Sequence, residues 1–290
     1  MNLLNKIILL SKAQYKRYFD DFLYKLGLYR KANKCINNDY EHLTSLELLK
    51  YKKSEKIFIL GSGFSINDLT EDEIKHIEKF DTFAFNGFLE HFHKLRIDFF
   101  LAREFLGFNN DITSQDMKEN GMYDFYFSDK SNKVKYAQDT VFLLQHELAA
   151  YSVNSILAQK MIKKGRKIFT FKNHFLRKFY YPTKSLKKLV HYSGSISDVV
   201  HASYALGYKE IVLVGVDLYD RNHFWLPKDE TSLIDKDRGY KAQDIHNTAT
   251  PTIKMFDKWN KFFKEEGVVL SVYNPRSLLK DIMPIYEKGE

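Results

Sequence analysis

Beyond residue 55 the chain alternates between short apolar runs and longer charged stretches. The runs are IFIL (57–60), FAF (83–85), IDFFLA (97–102), YDFYFS (123–128), TVFLL (140–144), IFTF (168–171), IVLVG (211–215) and VVLSVY (268–273). Near-continuous apolar runs of this length mark strands buried on both faces, and charged segments of helical length between them mark crossover helices. The pattern predicts an α/β fold with a mostly parallel sheet flanked by helices. No internal repeat and no low-complexity linker interrupts it.

Before residue 55 the period changes. In YKRYFDDFLYKLGLYRK, Tyr15, Tyr18, Phe19, Phe22, Leu23 and Leu26 recur at helical spacing, with Lys16, Arg17, Asp20, Asp21 and Lys25 on the other side. Residues 1–55 therefore read as a basic amphipathic helical extension, either packed on the main domain (56–290) or on a second subunit, or lying against a membrane surface. Inside the main domain, Thr70 followed by Glu73 is a capping-box pattern, and Glu71 and Asp72 suit the positive end of a helix starting there.

The first strand of the main domain runs into a turn, KIFILGSGFS (56–65), whose two glycines permit a sharp bend or close approach to a ligand. The third glycine of the dinucleotide fingerprint is missing, since Phe64, Ser65 and Ile66 stand in its place. The next helix starts near Thr70, too late to hold a pyrophosphate on its first turn. The second strand, DTFAFN, ends in Asn86 rather than the acidic residue that grips an adenosine ribose, which disfavours both a conventional NAD or FAD site and a Rossmann methyltransferase.

Composition narrows the class. At 290 residues and 44% hydrophobic the chain can bury a full core. A single cysteine, Cys35, excludes an internal disulfide framework and a cysteine-based zinc cluster, and fits a reducing cytoplasm. No stretch has the length of a membrane span. The net charge of +8 favours an anionic partner. Nucleic acid is the least favoured one, because the basic residues are scattered and no nucleic-acid-binding signature is present.

Four separated blocks carry a more specific signal: GSGFS (61–65), FNGF (85–88), YSGSISDVVHASYALGYKEIVLVGVDLY (192–219), and His246-Asn247 with the later YNPRSLL (273–279). In order and spacing they resemble the bacterial sialyltransferases of glycosyltransferase family 42, over about residues 56–280. The resemblance implies a single modified Rossmann-type domain with a lid, about 220–245 here, and a CMP-activated acidic sugar as donor. The family's Gly-Asn-Gly-Pro-Ser corresponds to Gly61, Ser62, Gly63, Phe64 and Ser65, so a serine stands where the family's asparagine contacts the nucleotide. Asn86 matches the family's asparagine at the end of the second strand. The family's Thr-Ser-Gly, which holds the sugar carboxylate, is represented by Tyr192, Ser193 and Gly194, at the start of a helix whose dipole favours an anion. The family's Gly-x-Asp-x-Tyr gives Gly215, Asp217 and Tyr219: close approach of the nucleotide, an acceptor for ribose or cytosine, and a phenol for the leaving phosphate. Trp225 stands where the family has a second tyrosine, with His223, Arg221 and Lys228 as further candidates for the phosphate.

His246 takes the place of the family's general base, between a polar loop and the helix TPTIKMFDKW. An acceptor hydroxyl must lose its proton as it attacks, and a histidine with an ordinary pKa of about 6.5 is mostly a free base at neutral pH. His191 and His201 flank the carboxylate block and stand second. Asp235-Lys236-Asp237 has the Asp-x-Asp form of a metal site but lies in the polar loop, and a CMP leaving group carries one phosphate that hydroxyl or indole donors can support, so no metal and no cofactor is expected. The implied reaction is direct displacement with inversion, onto a glycan acceptor such as lipid-linked lipooligosaccharide or capsule, by a cytoplasmic protein in peripheral contact with the inner membrane or assembled as a homo-oligomer. Departures at Ser62, Tyr192 and Ala102-Arg103-Glu104 keep open another CMP-sugar, such as Kdo or a pseudaminic-type acid. A nucleotide-binding or flagellin-modification accessory protein without transferase activity is the rival from a different class.

Overall fold

The computed structural model describes residues 3–85, 88, 94–103, 139–148, 150–158, 162, 164–174, 179–192, 194–218, 224 and 245–288, with the backbone alone at 3–18, 21, 151, 152, 155 and 245–248. The predicted apolar runs within this range form strands. They are β2 (Lys56–Leu60), β3 (Asp81–Phe85), β4 (Phe99–Ala102), β5 (Val141–Gln145), β6 (Lys167–Asn173), β8 (Glu210–Val214) and β9 (Val269–Val272). The run 123–128 lies outside the described residues. Two further strands, β1 (Glu41–His42) and β7 (Lys188–Leu189), are only two residues each. The order β1-β6-β5-β4-β3-β2-β8-β9, with β7 also on β6, is parallel at every pairing.

Alternate residues of each strand serve opposite cores. Ile57, Ile59, Phe83, Leu101 and Leu213 point to the face covered by α5 (Ser195–Ala205) and α6 (Ile245–Glu265), where Val199, Val200, Phe256 and Trp259 meet them. Phe58, Leu60, Ala84, Phe100 and Val214 point to the other face, with Ala32 and Ile36 of α1 (Leu3–Asp39), Ile74 and Ile77 of α3 (Glu71–Ile77) and Ile156 of α4 (Tyr151–Ala158). The result is a three-layer α/β/α body of the kind the alternation predicts. The α3 start is as read from sequence: Thr70 accepts from the Glu73 backbone N–H, and the Glu73 carboxylate accepts from the Thr70 N–H at 2.9 Å. Burial opposes the charge on Glu73, but the bonds from Thr70, Lys288 and Tyr273 outweigh it and hold the carboxyl at about 2.

The N-terminal helix divides into two parts. Leu28, Ala32, Cys35, Ile36 and Tyr40 are buried, and the Tyr40 hydroxyl donates to the Ile162 carbonyl at 2.9 Å. β1 then adds to the edge of β6, and α2 (Ser45–Leu49) buries Leu48. Residues from the second half of α1 through α2 thus share the sheet and core of the main body. Earlier in the same helix Phe19, Phe22, Leu23 and Tyr24 are each about half exposed.

Two buried carboxylates at the amino ends of the strands are structural. Asp81 accepts from the backbone N–H of Lys53 and Ser54 and from the Tyr208 hydroxyl. Asp98 takes Lys53 at 2.6 Å and Arg96 at 3.0 Å. The opposite, carboxyl ends hold the candidate site.

Candidate functional site at the strand switch point

Chain order runs outward from β2 through β3, β4, β5 and β6, then returns to place β8 and β9 on the other side of β2. The crevice outside the carboxyl ends of β2 and β8 is therefore a topological switch point, where open parallel sheets hold ligands. Leu60 leads there into Gly61-Ser62-Gly63, and Val214 into Gly215-Val216-Asp217.

The two strand exits stay bonded to each other. Gly61 N–H donates to the Val214 carbonyl at 2.7 Å, and Gly63 N–H to the Gly215 carbonyl at 2.7 Å. The glycines are required by this contact. A Cβ on Gly61 would lie 2.4 Å from the Gly215 oxygen, and one on Gly63 would lie 2.4 Å from Asp217 Oδ2. Gly215, at φ 66°, would press a Cβ to 2.6 Å from Ile66 Cδ1. The Cα faces of these glycines meet protein, and the close approach they permit is that of the two strand exits to each other. Of the turn, Ser62 and Gly63 keep partial exposure.

Asp217 is the hub of this arrangement. It is 2% exposed, and its carboxylate accepts from Ser65 N–H (3.0 Å), Ser65 Oγ (2.6 Å) and Asn274 Nδ2 (2.7 Å). These bonds staple together the glycine turn, the end of β8 and the segment after β9. Ser277 Oγ donates to the Val216 carbonyl at 2.7 Å, and Leu278 N–H to the Asp217 carbonyl at 3.1 Å. These bonds hold Leu218 at φ 63°, a left-handed conformation strained for a leucine. Phe224 closes over the turn: its N–H donates to the Ser62 carbonyl at 3.1 Å, Asn67 Nδ2 donates to its carbonyl at 2.8 Å, and its ring tilts against Phe88 at 5.2 Å.

Ser65, Asn274 and Ser277 are not singled out by sequence, although GSGFS and YNPRSLL contain them. Their signal is a small polar residue after each glycine turn or strand, which has no meaning until the partner strand is known.

Two helices bring their N-termini to the same edge. Three or four residues separate the end of α5 from β8 and the end of α6 from β9, so both helices run antiparallel to the strands and begin at the carboxyl side. Gly194, at φ 96°, is the N-cap of α5. Helix α6 starts at Ile245, so His246 sits in its first turn rather than before it, and Pro251 lies inside the helix. The side chain of His246 lies outside the described residues. So do Asn86, Ser193, Tyr219 and Trp225, and the span expected as a lid apart from Phe224 and Ile245. Among the described residues no group of three or more His, Cys, Asp or Glu side chains stands together as a metal site, and no helix is long and apolar enough to cross a membrane.

The second-rank histidines differ. His201 is wholly buried: its Nδ1 accepts from Val190 N–H at 2.9 Å, and its Nε2 donates to the Thr183 carbonyl at 3.0 Å. Burial pushes its imidazole down to about 4, against the Thr183 bond. It ties the 183–190 segment to α5 as a neutral ring and is spent as a structural group. Unfolded, the ring takes a proton near 6.5; folded, only near 4. Its contribution is therefore whole above pH 6.5 and is lost as pH falls to 4, amounting to about 3 kcal/mol. Denaturant titrations at pH 7 and pH 4.5 are expected to show this loss in the wild type and a smaller one in His201→Gln. Equal losses in both would remove His201 as the cause. His191, by contrast, reaches the surface with its side chain 13% exposed.

No protein-family model matches the chain, and no match is found among curated proteins. Several solved structures are similar to it at low identity, among them three of sialyltransferases. One is the sialyltransferase Cst-II in complex with CMP, 15% identical, covering 79% of this chain and 85% of that one, with a TM-score of 0.39. A second is the monofunctional alpha-2,3-sialyltransferase Cst-I from Campylobacter jejuni, 12% identical over 81% of this chain and 82% of that one, with a TM-score of 0.39. The third, CstII from Campylobacter jejuni with the substrate analogue cytidine-5'-monophosphate, is 17% identical over 80% of this chain and 85% of that one, with a TM-score of 0.29.

Proposed function

We propose that the chain is an inverting glycosyltransferase of the sialyltransferase type, moving sialic acid or a related acidic sugar from its CMP conjugate to a glycan hydroxyl. The observation that carries this reading is the convergence on Asp217. Three of the four sequence blocks that resemble the family, 152 and 57 residues apart at Ser65–Asp217 and Asp217–Asn274, are hydrogen-bonded to one another at the switch point of the sheet. The start of α5 at Gly194 and that of α6 beside His246 lie at the same edge.

In this reading the cytidine rests by Ser62 at the crevice. Ser193 and backbone N–H groups at the start of α5 hold the sugar carboxylate, helped by the helix dipole. Tyr219 and Trp225 donate to the departing phosphate, with Asn86 beside the nucleotide. His246 removes the proton of the acceptor hydroxyl as the new glycosidic bond forms and the bond to phosphate breaks. No metal takes part. Asp217, Gly61, Gly63 and Gly215 act by shaping the turn.

The test is calorimetric titration with CMP, then CMP release from CMP-sialic acid. Binding of CMP in preference to AMP, and release that survives a chelator, are expected. Failure to bind any cytidine nucleotide would end the proposal. The departures at Ser62, Tyr192 and Arg103 support a second reading with another CMP-linked acid sugar. It is distinguished by binding of CMP with release from CMP-Kdo or a CMP-pseudaminic acid but not from CMP-sialic acid.

A further inference from the structure

A second polar centre lies on the carboxyl edge, away from the glycine turn. Asp198, in the first turn of α5, is 0% exposed. Burial pushes its carboxyl up, opposed by His191, Arg103 and Asn173 around it. Its Oδ2 accepts from His191 Nδ1 at 2.6 Å, and its Oδ1 from Asn173 Nδ2. Asn173 Nδ2 also donates to the Leu189 carbonyl at 3.4 Å, which fixes the direction of the amide. Asn173 N–H in turn donates to Glu147 at 3.2 Å, closing the network onto the end of β5.

Two polar atoms are left over. Asn173 Oδ1 is buried without a partner among the described residues. His191 commits Nδ1 to the carboxylate, so Nε2 is its remaining polar atom, and no described residue meets it. The partial exposure of its side chain is enough for a ligand to reach the ring. Fixed tautomer, fixed ring and fixed amide are what a recognition site needs, and unmet buried polar atoms are rare unless something is meant to meet them. With Arg103 balancing Asp198, the matching ligand group is neutral. With Nδ1–H given to Asp198, Nε2 is an acceptor, and a hydroxyl supplies the neutral donor it needs.

The location fits a sugar. His191 stands two residues before Ser193, which in the transferase reading holds the sugar carboxylate, and Asp198, to which His191 and Asn173 are bonded, lies in the first turn of the same helix, α5. We propose that His191, which Asp198 holds in place together with Asn173, forms a subsite for sugar hydroxyls. This rests on the transferase reading. The hydroxyls belong either to the polyol tail of the donor sugar or to the ring of the acceptor, and the two sources separate by experiment.

The experiment compares wild type, His191→Ala and His191→Gln. It measures CMP affinity, donor KM in acceptor-free hydrolysis of CMP-sialic acid, and acceptor KM with lactose as probe. A seven-carbon donor lacking the terminal diol completes the set. If the donor supplies the hydroxyls, His191→Ala raises donor KM ~10-fold, His191→Gln recovers part of it, and the shortened donor costs the wild type ~10-fold but the alanine variant nothing further. If the acceptor supplies them, hydrolysis is unchanged and the lactose KM rises instead. Either result, with CMP affinity within twofold of wild type, supports the subsite. Unchanged KM values in both variants overturn it, as does a parallel fall in CMP affinity, which would make His191 purely structural. Absence of CMP binding by the wild type would overturn the transferase reading itself, and the subsite with it.

Discussion

Gly61→Ala is expected to lower the stability of the fold by about 4 kcal/mol, and with it the melting temperature by roughly 8–16 °C, and to abolish nucleotide binding in whatever remains folded. The added methyl would stand 2.4 Å from the Gly215 carbonyl oxygen, 3.0 Å from its carbon and 2.9 Å from Val216 Cγ2. Neither backbone atom can swing aside as the tip of a long side chain would. Relief requires the ends of β2 and β8 to part, which costs the Gly63 N–H bond to Gly215 and carries Asp217 away from Ser65. Because both strands lie inside the sheet, with β3 and β9 bonded outside them, the displacement has nowhere to go. Gly27→Ala is the matched control. It lies within α1 with nothing inside 4 Å of the new methyl, and is expected to gain up to about 1 kcal/mol from helix propensity. Thermal melts of the two variants side by side decide the matter, and a Gly61→Ala protein melting within ~2 °C of wild type would show that the strand exits do not touch as described.

The same turn marks where sequence stops being informative. IFIL and IVLVG are legible as strands because burial on both faces forces an unbroken apolar run, and Thr70 with Glu73 is legible as a helix start because capping is a contact between residues three apart. GSG is legible as a turn. The reason for its glycines is not, since that reason is the carbonyl of Gly215 arriving from a strand far along the chain, and a single sequence carries no record of which strands become neighbours. Asp217 shows the same limit. An acidic residue at a strand end reads equally well as a ligand for ribose or as an anchor for Ser65 and Asn274, and only the fold chooses. Proline misleads in a different way. Pro251 suggests a helix beginning near Thr250, because proline suits a first turn. It is in fact the seventh residue of α6, where it forgoes one backbone bond, and so His246 moves from a loop onto the helix. β1 and β7 escape notice because two residues cannot establish a period.

His246→Ala is expected to cut sugar transfer by at least ~100-fold while leaving CMP affinity within twofold. The proton that must leave the acceptor hydroxyl has no acceptor of comparable basicity in water at neutral pH, so the loss should fall on kcat with KM for the donor little changed. The first turn of a helix, where α6 places residue 246, exposes unpaired backbone N–H groups that disfavour a positive charge nearby. A protein that only carries the nucleotide for another enzyme has no use for that base. It would bind CMP equally with or without the imidazole, and cells carrying His246→Ala would keep their surface glycans or flagellin modification. Loss of both binding and transfer would instead assign His246 to the folding of the site, since an alanine in a helix costs nothing by propensity. Measuring CMP affinity and transfer on the same preparation therefore separates base, carrier and scaffold, and only the combination of retained binding with lost transfer is compatible with proton removal by His246.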